Sequence, residues 1–350
     1  MNVVYASSEL YSELAGISIV SLFENNREES EINVYIIDNN ISDNNKKKIQ
    51  SLAEKYSRSV AFLPGKDIES IAGTKIDVNG HSTIKSISTY YRLLLPTIMP
   101  QSVDRLIYID CDTIVNGSLH DLYEWDMKGA YAVGTDDCRG KMYRKEIGIP
   151  YNNIYVNNGV LLIDLKKWRE SNIEQEYMSF IRDHAGVVTY DDEGVLNGVL
   201  GRTGKTGLLP LRYNVHVVFF YLSYDEIEQY RHAVWAYTKE EVEEAVKNPA
   251  IIHFDYFFMS GTRVWNEENR HPMKDTFLYY KSLSPWRDSP YWPDNRSTRK
   301  KISTKIYNTI PKPLLLPMFS VLHSNLYPRY RIALSKKAQR VAKKREGKGR

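Results

Sequence analysis

Through the first hundred residues the apolar positions keep two alternating rhythms. Short, nearly continuous runs, Val3-Val-Tyr-Ala6, Ile32-Asn-Val-Tyr-Ile-Ile-Asp38 and Val60-Ala-Phe-Leu63, have the length and apolar content of strands. Between them Leu14, Ile17, Ile19, Val20, Leu22 and Phe23, then Ile49, Leu52 and Ala53, recur at helical spacing. Ser42 stands before the second set, where a hydroxyl suits a helix N-cap. Strand, helix, strand, helix, strand predicts a parallel sheet wound by right-handed crossovers. A helix is predicted over 84–95, stopping before Pro96 because the residue ahead of a proline avoids helical backbone. Further strands are predicted at 105–109, 130–134, 156–163 and 251–254, with short helices near 119–125 and from Asp191. The glycine- and charge-rich stretch to about Tyr151 reads as a loop long enough for a lid or an acceptor. Beyond Ser282 proline, tryptophan and charge replace periodicity, which places a domain edge near Asn295 and divides the chain into 1–295 and 296–350.

One break in this pattern carries chemistry. The run Leu106-Ile-Tyr-Ile109 ends in two acids, Asp110 and Asp112, one residue apart. Residues i and i+2 of an extended segment point the same way, so both carboxylates can reach one point beyond the strand. Two neighbouring anions at the end of a buried strand repel unless a cation lies between them. Hard oxygen donors suit Mg²⁺ or Mn²⁺, which are usually shared with substrate phosphates. Open α/β sheets take ligands in the crevice outside the carboxyl ends of their strands. A nucleotide diphosphate is the ligand this stretch predicts.

Composition narrows the field. At 350 residues, 42% hydrophobic and 26% charged, the chain has room for one large α/β domain with an appendage. Two cysteines, Cys111 and Cys138, make no disulfide framework and no zinc spacing. No secretory signal is expected at the amino terminus, and no run of apolar residues is long enough to cross a bilayer. The net charge of +4 conceals an asymmetry: residues 296–350 hold 16 Lys or Arg against the single acid Glu346, leaving 31 basic and 42 acidic residues in 1–295. Arg299-Lys-Lys301, Lys336-Lys337 and Lys343-Lys-Arg345 flank the proline-broken apolar stretch 310–322. Basic clusters around apolar side chains predict a peripheral anchor on an anionic membrane surface rather than a nucleic-acid site.

Six segments in order add a family resemblance. They are Val4-Tyr-Ala6-Ser-Ser8-Glu-Leu-Tyr11, Ser88-Thr-Tyr-Tyr-Arg92, Leu106-Ile-Tyr-Ile-Asp110-Cys-Asp112, Asn157-Asn-Gly159-Val-Leu-Leu-Ile-Asp-Leu-Lys-Lys-Trp168, Asp191-Asp-Glu193-Gly-Val-Leu-Asn197, and His253 with Arg263-Val-Trp265. Together the chain resembles the retaining glycosyltransferases of family 8, the group of bacterial lipopolysaccharide galactosyl- and glucosyltransferases and glycogenin. The resemblance implies a nucleotide-diphospho-sugar (GT-A type) α/β fold with one mixed, mainly parallel sheet. It implies a UDP-hexose donor and a metal, Mn²⁺ with Mg²⁺ possible, held by Asp110, Asp112 and His253. It places donor contacts at Ala6, Ser8, Tyr11, Arg92, Asp110, Cys111, Asp112, Asp136, Gly261 and Arg263, and catalytic groups at Asn157, Asp192 and Glu193.

The departures are local. Glu193 stands where the family commonly has glutamine, Gly194 where it has aspartate, and Ser8 and Leu10 where it offers an aspartate and an asparagine to the base. The expected activity is retaining transfer of glucose or galactose to a cell-surface glycan or glycolipid. The expected location is the cytoplasm, on the inner face of the membrane. Two rivals are a haloacid-dehalogenase-like phosphohydrolase and a catalytically silent nucleotide-sugar binder. The first expects threonine two residues after the second acid, where this chain has Ile114, and expects the motif in the first strand.

Overall fold

A computed structural model of the protein describes residues 1–77 and 87–346. Its strands are β1 (Asn2–Ser8), β2 (Asn33–Asn39), β3 (Ser59–Pro64), β4 (Arg105–Ile109), β5 (Thr113–Val115), β6 (Ala132–Asp136), β7 (Val156–Asp164), β8 (Thr206–Leu208), β9 (Val215–His216) and β10 (Ile251–His253). Seven of them form one mixed sheet in the order β3-β2-β1-β4-β7-β6-β8. The first four in that row are parallel, as the alternating pattern predicts, and β7 runs antiparallel to both β4 and β6. The acid-terminated strand β4 is the middle one of the seven.

Alternation along the central strands splits the interior in two. Val3, Tyr5, Ile107 and Ile109 face one cluster, with Leu14 to Phe23 of the helix Ser12–Asn25 and with Phe277 and Tyr280. Val4, Leu106 and Tyr108 face the other, with Leu93, Trp168 and Tyr177. Both faces are therefore covered, and each fully buried aliphatic side chain contributes about 1.5–3 kcal/mol. Ser42 caps the helix Asp43–Lys55 by accepting from the Asn45 N–H, as its position suggested.

Three expectations shift. The single sheet is accompanied by a second, β5-β10-β9, which starts directly after Asp112. Of the helix predicted over 84–95, residues 84–86 lie outside the described residues; the rest forms a 3-10 helix, Ile87–Leu94, followed by the α-turn Leu95–Ile98. Pro96 sits in the first turn of that second piece, where its missing N–H has no intrahelical partner to lose, so it continues the helix instead of ending it. The stretch read as a loop to Tyr151 contains the helix Lys141–Glu146, pinned by the buried Arg144, whose Nη2 lies 3.3 Å from Asp136.

The basic C-terminal stretch is helical: Thr298–Thr309, then Lys312–Ser320, a π-helical turn Val321–Leu326 and Tyr327–Glu346 in succession. Its inner face packs on the body. Leu315 and Leu316 are buried with Val217, Phe219 and Tyr230. Tyr143 donates to the His323 carbonyl at 2.7 Å, and Ser324 to the Tyr230 carbonyl at 3.0 Å. Its outer face leaves Leu314, Met318, Val321, Leu322, Leu326 and Tyr330 half exposed or more. No described helix is long and apolar enough to cross a membrane.

Candidate functional site

Backbone pairing fixes the two acids. The Asp110 N–H donates to the Gly159 carbonyl of β7 at 2.8 Å, and the Phe254 N–H, one residue past β10, donates to the Asp112 carbonyl at 2.8 Å. The β5–β10 register, Thr113 opposite His253, then sets an imidazole beside both carboxylates. His253 Nε2 lies 3.3 Å from Asp112 Oδ1 and 4.0 Å from Asp110 Oδ2, and the three side chains can offer donor atoms all within 4.8 Å of one another. The imidazole fits because residue 159 is glycine: a Cβ there would stand 2.3 Å from its Cε1. Two carboxylates and one imidazole nitrogen on a fixed backbone suit a divalent cation. Burial alone would push His253 down, but the hydrogen bond and charge of Asp112 lift it to about 9. Burial likewise pushes Asp112 up, and His253 and Arg263 bring it to about 2.

Cations frame this cluster. Arg92 is buried, with Nη2 2.7 Å from Asp110 Oδ1 and Nε 2.8 Å from Asp192 Oδ2, its guanidinium 4.3 Å above the Tyr108 ring. Arg263 Nη1 lies 3.4 Å from Asp112 Oδ2 on the other side. Burial raises Asp192 to about 6 against the pull of Arg92.

Because β7 opposes β4, with Val160 facing Ile109, its amino end lies beside the carboxyl end of the acid strand. Asn157 and Asn158 thereby join the site from the opposite chain direction. Glu193 arrives on the helix Asp191–Leu196, entered through Tyr190 and Asp191 in the left-handed region, a costly backbone for two successive side-chain-bearing residues. Its Oε1 accepts from Tyr155 at 3.1 Å and Arg139 at 3.3 Å, and its Oε2 from Asn157 Nδ2 at 3.5 Å. Burial, with Asp137 nearby, raises Glu193 to about 8. Gly194 has a local reason: a Cβ would meet the Thr189 carbonyl oxygen at 2.0 Å, so the turn leaves no room for a side chain.

These groups line one cleft of about 250 Å³. Of the residues expected from sequence, Ala6, Ser8, Tyr11, Arg92, Asp110, Cys111, Asp112, Asn157, Glu193, His253 and Arg263 line it. Asp192 stands behind them as the second anchor of Arg92. Asp136 and Gly261 lie outside the lining. Asp136 is fully buried under Arg144, and Gly261 faces Thr304 and Arg296 of the C-terminal region. Arg139, Asn158 and Asp255 line the cleft, and Asp137, in contact with Arg139 and Asn157, lies just beneath; the sequence motifs include Asn158, but none of the four was assigned a role in the site. A roomier groove of about 540 Å³ at Trp125, Pro210 and Tyr237 shares no residue with this cleft and is mostly apolar. Size does not decide between them, because the paired acids, imidazole and guanidinium groups converge on the smaller, whereas the glutamates of the larger lie along one exposed helix.

Comparison with known proteins agrees with this geometry. A family model described as Glycosyl transferase family 8 matches residues 2–268. General stress protein A of Bacillus subtilis (strain 168) is 26% identical over 294 residues, 82% of this chain and 94% of that protein. A lipopolysaccharide 1,2-glucosyltransferase of Escherichia coli is 26% identical over 295 residues, 83% of this chain and 80% of that one. The crystal structure of the galactosyltransferase LgtC in complex with donor and acceptor sugar analogs shares the fold, with a TM-score of 0.68 at 22% identity over 81% of this chain and 96% of that chain.

Proposed function

The chain belongs to glycosyltransferase family 8, and from that membership and its cleft we propose that it transfers glucose or galactose from a UDP-sugar to a cell-surface glycan or lipopolysaccharide-type acceptor, with retention at the anomeric carbon. The observation that carries the reading is the meeting of Asp110, Asp112 and His253 with Asn157 and Glu193 in one cleft. The three ligands would hold Mn²⁺, or Mg²⁺, and such an ion supplies Lewis-acid stabilisation of charge on a leaving diphosphate. Arg92 and Arg263 set fixed positive charge on either side of those carboxylates, where negative charge accumulates as the bond to the sugar breaks. Asn157 and Glu193 line the wall where the sugar would lie, and Asp192 keeps the Arg92 fork in place.

The test is release of UDP from UDP-glucose and UDP-galactose with and without Mn²⁺. Metal-dependent release supports transfer; phosphate release from a generic ester supports the phosphohydrolase, and no turnover with retained UDP binding supports a silent binder. Asp112→Asn should remove the metal-dependent part, and unchanged turnover contradicts the ligand assignment.

The same proposal sets the enzyme on the inner, anionic face of the cell membrane through residues 296–350. The half-exposed stripe from Leu314 to Tyr330, flanked by the basic clusters, supports that placement. Because Leu315 and Leu316 are part of the packed body, point changes are the cleaner probe. Leu314, Met318, Leu322 and Leu326 changed together to serine should lose anionic-vesicle binding and keep UDP binding. Full retention on vesicles rejects the anchor.

A further inference from the structure

Asn214 belongs to no motif, yet it is fully buried between the cation site and the sugar-facing wall. It follows the 3-10 turn Leu211–Tyr213 and precedes β9, the strand beside β10. Its amide makes two side-chain contacts: Oδ1 lies 3.1 Å from His253 Nδ1, and Nδ2 lies 2.8 Å from Asn157 Oδ1. A buried amide with both ends engaged is costly to disturb, since each lost partner leaves a polar atom unpaired away from water.

The direction of every bond in this chain follows from one backbone donor. The Gly159 N–H donates to Asn157 Oδ1 at 3.0 Å, and a backbone N–H cannot accept, so the Asn157 oxygen must be the atom facing it. That same oxygen faces Asn214, which must therefore present its NH₂ there and its own oxygen to the imidazole. An amide oxygen only accepts, so His253 must carry hydrogen on Nδ1. Without a cation Nε2 also carries hydrogen, toward Asp112 3.3 Å away; in the neutral ring that a metal ligand requires, the hydrogen stays on Nδ1 and the lone pair falls on Nε2. At the other end, fixing the Asn157 oxygen inward turns its NH₂ toward Asp137, at 3.2 Å, and Glu193.

We propose that Asn214 is a positioning residue that sets the His253 tautomer and the Asn157 amide orientation together, tying the cation site to the sugar-facing wall. The inference rests on the metal reading above and goes beyond it, because Asn214 touches neither carboxylate ligand. Outer partners of a ligating imidazole typically alter metal affinity by about 10–100-fold when removed.

Mn²⁺ affinity, read by the electron paramagnetic resonance of the free ion, tests it in the full-length protein alongside donor KM and kcat. Asn214→Leu should weaken Mn²⁺ about 10–100-fold. Asn157→Leu, at a residue that is not a metal ligand, should also weaken Mn²⁺ severalfold by releasing Asn214. Asn157→Asp should leave Mn²⁺ affinity no weaker than wild type, because a carboxyl oxygen still accepts from Gly159 and Asn214 in either protonation state. It should lower kcat with little change in donor KM, since the group facing Glu193 has changed. Thermal unfolding accompanies each variant; a purely structural role makes Mn²⁺ affinity follow lost stability, with the buried extra acid no better than leucine. Equal weakening by Asn157→Asp and Asn157→Leu, or wild-type Mn²⁺ affinity in Asn214→Leu, overturns the relay. Failure of the wild-type protein to bind Mn²⁺ overturns the metal reading and the relay with it.

Discussion

Replacing Arg92 with methionine isolates what one buried guanidinium does for two acids. Arg92 is 3% exposed and stands 2.7 Å from Asp110 and 2.8 Å from Asp192. Methionine keeps much of the stem's packing and removes the charge and the donors. Breaking a buried ion pair from one side costs about 3–5 kcal/mol, because the remaining charge is left uncompensated. Proton uptake caps that cost. For an aspartate of ordinary pKa near 3.9, protonation costs about 5 kcal/mol at about pH 7.5 and about 1.5 kcal/mol at about pH 5. Asp192 already titrates at about 6 with Arg92 in place, so it takes up its proton readily. The variant should lose about 3–5 kcal/mol at about pH 7.5 and roughly half of that at about pH 5. Urea unfolding of both proteins at each pH, without divalent cations, measures the difference. A loss that is the same at both pH values, or below about 1 kcal/mol at the higher one, refutes the claim that Arg92 is there to neutralise these acids.

Two further predictions follow from packing and titration. Gly159→Ala sets a methyl 2.3 Å from His253 Cε1 and 2.6 Å from Nδ1, so the imidazole must move by about 1 Å. Stability should fall by about 1–3 kcal/mol while Mn²⁺ affinity falls at least about tenfold, and unaltered metal binding speaks against the cradle. The second concerns pH. Burial raises Glu193 to about 8, and Asp136, Asp191 and Glu146 each to about 7; His253 is lifted to about 9 by Asp112 against its own burial. Each of these groups holds its proton to a higher pH folded than unfolded, so between about pH 6.5 and 8.5 the folded state binds more protons and gains stability as pH falls. His216 and His271, each pushed down to about 4 by burial, and His184, also lowered by burial, oppose this chiefly below the ordinary histidine value of 6.5. The metal-free protein should melt higher at about pH 6.5 than at 8.5, and the reverse order rejects the assignment.

Local pattern carried much of this fold because its information is local. Alternation in β1 and β4 tells which side chains face each core, and a strand ending in Asp110 and Asp112 states its own chemistry. The misses share a different cause. The strand predicted over 130–134 runs from Ala132 to Asp136, and successive strand residues face opposite ways. Two residues of shift carry Asp136 into the buried strand and leave Asp137, just past its end, to meet Arg139 and Asn157. Asn214 left one faint trace, a lone amide just ahead of the largely apolar stretch Val215-His-Val-Val-Phe-Phe220. Its meaning depends on β9 lying beside β10, which no local period encodes. Charge in the C-terminal stretch was plain to count, whereas the inward turn of Leu315 and Leu316 beside the exposed Leu314 depends on long-range contacts.

A stronger inference was nevertheless available from the ends of two strands. In β4 the polar pair follows the apolar run, whereas in β7 Asn157 and Asn158 come at its start. Adjacent strands that carry polar groups at opposite ends can bring them to one edge of a sheet only by running antiparallel. The pairing of Ile109 with Val160 does this. Reversing β7 turns an otherwise parallel sheet into a mixed one, and places amides beside carboxylates at the same crevice. The third contribution, His253, comes from outside that sheet, in which β4 is flanked by β1 and β7. It comes from β10, paired with the strand that starts at Thr113. The second sheet thus serves the site: the three residues of β5 give a side chain from far along the chain a fixed register to Asp112.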